Sequence, residues 1–332
     1  MSQNEMSPLL TEGGPITVED RHFLDWINKE KNSPDRIEME ALQNRKSWIE
    51  NAREMRTKEW NTLLEKMKGC PLWEDGAPDF NESFGQRQPA LYEYPDPVDD
   101  TLRGAVIICP GGGFMFKSEW EAEPVARRFF EAGFRTFILD YRVQPYDRAV
   151  SGSDAIRAVR YLRYHADRFH VKSDKICMTG GSAGGLQTLM PSVCFDYGDP
   201  VAKDPVERVS SRVDAAIVWY GTFQFACVPM EPGGGFSFEK QNEKARMNAE
   251  TLRLRPDCPP FFIWQTVNDD PRYLCRFGEA LTDNGIPFEM HLFADAPHGC
   301  GLADGGHKYA PYARGTSRWS QMAIEFLENL EF

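Results

Sequence analysis

The chain has 332 residues, and its 38 Lys and Arg against 50 Asp and Glu leave a formal net charge of −12. With no basic stripe to offset it, that charge repels phosphate backbones and excludes nucleic acid as a partner. Met1-Ser2-Gln3-Asn4-Glu5 has neither the basic nor the apolar region of an export signal, and no stretch approaches the roughly 18 apolar residues of a membrane-spanning helix, so the expectation is a cytoplasmic chain with no membrane partner.

The first elements are helical. Thr17, with Asp20 three residues on, caps a helix through Phe23, Leu24, Trp26 and Ile27. Ser33-Pro34 opens a second, because serine satisfies an orphan amide and proline dispenses with one, and Gly69 offers a left-handed stop. Between them Ile37, Ala41, Trp48, Ala52, Met55, Trp60, Leu63, Leu64 and Met67 form one apolar stripe. Unbroken, the stretch from 34 to 68 would reach about 50 Å, more than a compact domain covers, so it breaks, wraps, or packs on another subunit. Residues 1–85 therefore read as an N-terminal helical arm: a stabilising appendage, a lid, or an element through which copies of the chain form a homo-oligomer. Within it, Pro71, Gly76, Pro78 and Gly85 mark residues 70–88 as a linker or covering loop.

Residues 86–332 alternate strand and helix. The short apolar run 105–109 reads as a strand buried on both faces, and 134–141, 175–179, 215–220, 260–266 and 288–293 read as further strands. Helices follow through Val125, Ala126, Phe129 and Phe130, from Ser153 through Leu162, over 186–194, over Leu274, Phe277 and Leu281, and over Trp319, Met322, Ala323 and Phe326. Such alternation predicts an α/β fold with a doubly wound, mostly parallel sheet. Residues 222–259 interrupt it, with Gly233-Gly234-Gly235 inside, and read as an insertion able to cap a pocket.

Gly180-Gly181-Ser182-Ala183-Gly184 fits G-x-S-x-G between a strand and a helix, where a strained turn leaves no room for Cβ atoms as it lifts a serine hydroxyl above the sheet. After the strand 105–109 comes Pro110-Gly111-Gly112-Gly113-Phe114, whose glycines let backbone amides approach a small group. An α/β hydrolase needs one oxyanion donor there, from Gly112 or Gly113, and a second from the residue after the nucleophile, Ala183. Phosphate cradling is excluded, because Phe116 stands before Lys117-Ser118 where a Walker motif demands glycine, and no G-x-G-x-x-G is present.

The strand 260–266 leads into Asn268-Asp269-Asp270-Pro271, and the strand 288–293 into Ala296-Pro297-His298-Gly299. Ser182, Asp269 and His298 then follow the chain order Ser, Asp, His of this fold, with each side chain at the carboxyl end of a strand. Asp270 is the alternative acid, but it precedes a proline and suits a helix cap.

Cys109-Pro110-Gly111-Gly112-Gly113-Phe114, the strand 134–141, residues 180–185, Pro259-Pro260-Phe261-Phe262-Ile263-Trp264-Gln265-Thr266 and residues 293–302 resemble the acetylxylan-esterase-like α/β hydrolases, relatives of bacterial carbohydrate acetyl and feruloyl esterases. The resemblance covers about residues 89–330 and leaves out the arm. It implies hydrolysis of carboxylic esters, usually of short acyl groups, by Ser182, Asp269 and His298. The chain has Cys-Pro where many of the wider superfamily have His-Gly, and Gln265 where relatives commonly have His.

The expected chemistry is acyl transfer to serine and then to water, on a small-molecule ester and with no cofactor. The same triad serves an amidase, a formamidase or an acyltransferase, and a ligand receptor on a hydrolase fold is the reading from another class. Phe114, Tyr220 and Phe223 are candidate pocket residues, together with Phe116, Trp120, Phe225 and Phe236; core packing is the competing role for all of them. Eight cysteines without a CxxC pair and six dispersed histidines predict buried thiols and no metal site.

Overall fold

The computed structural model describes residues 45–94, 100–221 and 254–332, with side chains from residue 53 onward in the first of these segments. The helix expected at Thr17, the start at Ser33-Pro34 and most of the insertion, with Phe223, Phe225, Phe236 and the three glycines, lie outside the described residues. The chain divides into two compact units, Met1–Glu59 and Trp60–Phe332. What is described of the first is most of helix α1 (Arg45–Leu64), where Arg56 donates to Glu59 one turn on at 2.7 Å.

The second unit is built on eight strands: β1 (Gly69–Pro71), β2 (Ala90–Tyr94), β3 (Arg103–Cys109), β4 (Arg135–Asp140), β5 (Val171–Gly181), β6 (Ala215–Trp219), β7 (Phe261–Thr266) and β8 (Phe288–Phe293). Their order in the sheet is β1-β2-β4-β3-β5-β6-β7-β8; β1 and β2 run antiparallel at one edge and the rest are parallel. The six apolar runs read from the sequence are the six parallel strands.

Alternate residues of β3 feed two cores. Ala105, Ile107 and Cys109 join one with the residues of α3 (Arg148–Tyr164), α4 (Ala183–Val193) and α5 (Pro271–Asp283). Val106 and Ile108 join the other with α2 (Glu123–Glu131), α6 (Trp319–Asn329) and the last turn of α1, where Trp60 and Leu64 are buried. A strand with both faces covered has no polar side to show, which is why its sequence is a continuous apolar run.

Two readings at the amino end are corrected. The first helix stops at Leu64, and Gly69 is no left-handed cap: it enters β1 opposite Tyr92. Residues 70–88 are not wholly a loop, and the sheet begins well before residue 85. Strands β1 and β2 escaped the pattern because prolines at 71, 89 and 95 bracket them and neither is a long apolar run. The third apolar helix also begins at Arg148, ahead of Ser153.

Beneath α3 a buried ion pair ties this edge to the body. Arg142 donates to Asp154 from its backbone amide at 2.8 Å and from Nη2 at 2.6 Å, and its Nη1 reaches the Pro78 carbonyl at 2.5 Å. Both side chains are almost wholly buried, and burial alone pushes the Asp154 carboxyl up against the pull of Arg142. Asp154→Ala would strand the guanidinium, so it should cost about 3–5 kcal/mol of stability, read as a lower urea midpoint.

Candidate active site

The strand order sets the place of the site. The connection from β3 through α2 leads to β4 on one side, and the chain then returns through α3 to β5 on the other side of β3. Connections that leave in opposite directions open a crevice at the carboxyl ends of β3 and β5. Cys109 pairs with Gly180 across that switch point, so Pro110-Gly111-Gly112-Gly113 and Ser182 emerge side by side.

Ser182 occupies the turn between β5 and α4 at φ 54° and ψ −122°, a region that costs a non-glycine residue of order 1–3 kcal/mol. Close packing holds it there. A Cβ on Gly184 would lie 1.9 Å from the Cys109 carbonyl oxygen, so α4 can start against the end of β3 only if residue 184 has no side chain. Gly184→Ala should lower stability by about 3 kcal/mol and lower the urea midpoint accordingly. Gly285→Ala, at φ 66° with nothing within 4 Å, should cost no more than about 1–2 kcal/mol of backbone strain.

The acid and base arrive on the next two loops. Thr266 pairs with Phe293 at the ends of β7 and β8, which places Asp269 and His298 on adjacent connections. His298 Nδ1 lies 3.0 Å from both Asp269 oxygens, and its Nε2 lies 2.9 Å from Ser182 Oγ. A carboxylate accepts, so Nδ1 donates to Asp269 and Nε2 is left to accept from the serine hydroxyl. Asp269 is itself fixed: Gln265 Nε2 donates to its carbonyl, and Thr266 Oγ1 to its Oδ2 at 3.2 Å. Asp270 points elsewhere. It caps α5 through the Arg272 amide and pairs with the Arg272 guanidinium at 2.5 Å, and those donors hold its carboxyl below the ordinary range.

The expected oxyanion donors lie on the loops after β3 and β5. Among the described residues, the amides of Gly112, Gly113 and Ala183 donate to no protein acceptor. Ala183 is the first residue of α4, whose amino end carries partial positive charge. Gly112 sits at φ 129°, and a Cβ there would meet the Phe116 carbonyl oxygen at 2.2 Å. Tyr141 steadies this loop by donating to the Pro110 carbonyl at 2.6 Å. The Cys109 thiol beside this loop is fully buried, and that burial pushes its pKa up.

The pocket reading of Phe114 and Tyr220 is corrected: they are 4% and 1% exposed. Phe114 turns at φ 57° into the core against Tyr141. Tyr220, at φ 30°, folds beneath His298 with ring centroids 5.0 Å apart. Its hydroxyl donates to Glu121 at 2.6 Å and accepts from the Gly301 amide at 2.9 Å. Burial and then Glu121 push that hydroxyl far above its ordinary pKa, so it stays a donor. Trp120 Nε1 and Trp319 Nε1 donate to the Gly299 and Gly301 carbonyls, at 2.9 and 3.1 Å, and anchor the same loop. Among the described residues, no cluster of three or more His, Cys, Asp or Glu could hold a metal ion, and no helix is long and apolar enough to cross a membrane.

The BD-FAE family model matches residues 94–271, more than half of the chain. The chain belongs to the BD-FAE family. Among curated proteins, this family member is similar to endo-1,4-beta-xylanase B of Butyrivibrio fibrisolvens, with 27% identity over 70% of this chain and 38% of that one. It is also similar to the probable carboxylic ester hydrolase LipM of Mycobacterium tuberculosis, with 28% identity over 60% of this chain and 49% of that one. It thus spans about half or less of the length of these curated relatives. Among solved structures, the acetyl ester-xyloside bifunctional hydrolase from Caldicellulosiruptor lactoaceticus aligns over 80% of this chain and 97% of its own, with TM-score 0.68 and 29% identity. Esterase 2 from Thermogutta terrifontis shares the α/β-hydrolase fold, with TM-score 0.61 and 22% identity over 80% of this chain and 95% of its own.

Proposed function

We propose that this BD-FAE member is a serine esterase that cleaves short-acyl, acetyl-type esters of a carbohydrate or another small molecule. The observation that carries the reading is the relay from Asp269 through His298 to Ser182, with both links at 3.0 Å or less. His298 Nε2 takes the hydroxyl proton as Ser182 Oγ attacks the ester carbonyl, and Asp269 holds the tautomer and stabilises the imidazolium. The oxyanion then lies between the Ala183 amide and that of Gly112 or Gly113, each donor supplying about 3 kcal/mol. His298 returns the proton to the departing alcohol, and the cycle repeats with water to release the acid. Every group this needs is a side chain or amide already present.

The acetyl preference draws on the resemblance to short-acyl carbohydrate esterases and on the acetyl ester-xyloside hydrolase that aligns along nearly its full length. It is tested with 4-nitrophenyl esters from acetate upward, alongside acetylated xylo-oligosaccharides and feruloyl esters. The expected result is a kcat/KM that peaks at two to about four acyl carbons, since each methylene that fits a pocket is worth a factor of about 10 or more. A maximum at longer chains, or turnover of amides alone, contradicts the reading.

A further inference from the structure

Glu121 is a buried acid that the mechanism above leaves without a part. Glu121 lies on the single turn Glu119–Glu121 and is 2% exposed. Burying a carboxylate strips its hydration at a cost of several kcal/mol, so it persists only where donors replace the water. Three do so here, the Gly111 amide at 2.7 Å to Oε2, the Tyr220 hydroxyl at 2.6 Å to Oε1 and the Ser118 side chain, and burial still holds the Glu121 pKa above its ordinary value.

The first two donors come from opposite walls of the crevice. Gly111 precedes Gly112 and Gly113 on the loop after β3. Tyr220 follows β6, lies under the His298 ring, and accepts from the Gly301 amide three residues beyond His298. The neighbouring Trp120 indole reaches Gly299 as well. A single turn therefore touches both the loop of the expected oxyanion donors and the loop of the base.

Resting on the esterase reading, we infer that Glu121 is a positioning residue whose two oxygens set the distance between the oxyanion loop and the His298 loop. The Gly111 amide, the Tyr220 hydroxyl and the Ser118 side chain all donate, so the position calls for a group whose two oxygens both accept. Glutamine fills the same space but turns an amide NH2 toward one of them. The Tyr220 hydroxyl can rotate to accept from it, which leaves the tyrosine proton buried without an acceptor. Misplaced donors matter most when charge develops on the carbonyl oxygen, so the loss falls on kcat and spares KM.

The test measures 4-nitrophenyl acetate turnover and thermal melting for Glu121→Gln, Tyr220→Phe and the double variant. Glu121→Gln should lower kcat up to about 100-fold with KM within about twofold, as expected for a displaced reacting geometry. Tyr220→Phe should lower kcat about 10-fold, and the double variant should lose less than the product of the two, because both act through one link. A folded Glu121→Gln protein with unchanged kcat, a loss confined to KM, or strictly multiplicative losses overturns the inference. If Glu121→Gln does not fold, Tyr220→Phe decides by the same criterion. Wild-type protein inert toward every ester overturns the esterase reading and this inference with it; active wild type with unaffected variants overturns the inference alone.

Discussion

Ser182→Ala should lower kcat for a short aryl ester by about 10⁶-fold, a loss on the order of 8 kcal/mol of transition-state stabilisation, with the fold unchanged. The size of the loss follows from Ser182 and His298 acting as a unit: once Oγ is gone, the imidazole at 2.9 Å has no proton to take, and only the amides of Gly112, Gly113 and Ala183 still favour attack by water. Alanine can hold φ 54° only because Gly184 and the Cys109 carbonyl fix the turn, so the variant should melt within a few degrees of wild type. Steady-state turnover beside a thermal melt checks both halves. Activity within about tenfold of wild type in a folded variant would assign the chemistry to another group.

Asp269→Asn should cost about 10⁴-fold in kcat, while Asp270→Ala should leave kcat within a few fold and lower stability by about 1 kcal/mol. The two residues are adjacent, yet their surroundings separate them. Asp269 is 8% exposed and meets His298 Nδ1 with both oxygens. An asparagine there offers an NH2 to Nδ1, which favours the tautomer with its proton on Nε2, the nitrogen that must accept from serine. Asp270 spends its oxygens on the Arg272 amide and guanidinium at the head of α5, so its loss is that of a helix cap. Equal losses for the two variants would contradict the assignment of the acid.

Much of the parallel sheet was legible because its physics is local. Strands such as β3 and β7 are covered on both faces and are mostly apolar, and the bounds of Phe288–Phe293 can be read residue for residue. The serine turn was legible for the same reason, since Gly180 and Gly184 stand where a backbone carbonyl lies within van der Waals contact. Strands β1 and β2 were not, because only the neighbours they pair with distinguish a short run between prolines from a loop. Glu121 was illegible too. Three glutamates at 119, 121 and 123 look alike as the solvated start of a helix, and only the Gly111 and Tyr220 donors, 10 and 99 residues away in sequence, set the middle one apart. Phe114 and Tyr220 stay open between pocket and core in the sequence, because an aromatic at a strand end is ambiguous until its backbone angle shows which way it turns.

The central claim, a nucleophilic serine activated by His298, is met most directly by treating the protein with a fluorophosphonate and locating the adduct by peptide mass spectrometry. One adduct per chain on Ser182, absent in Ser182→Ala and strongly slowed in His298→Ala, is the predicted result. Wild-type protein that stays unmodified, or label that persists in folded Ser182→Ala, would contradict it.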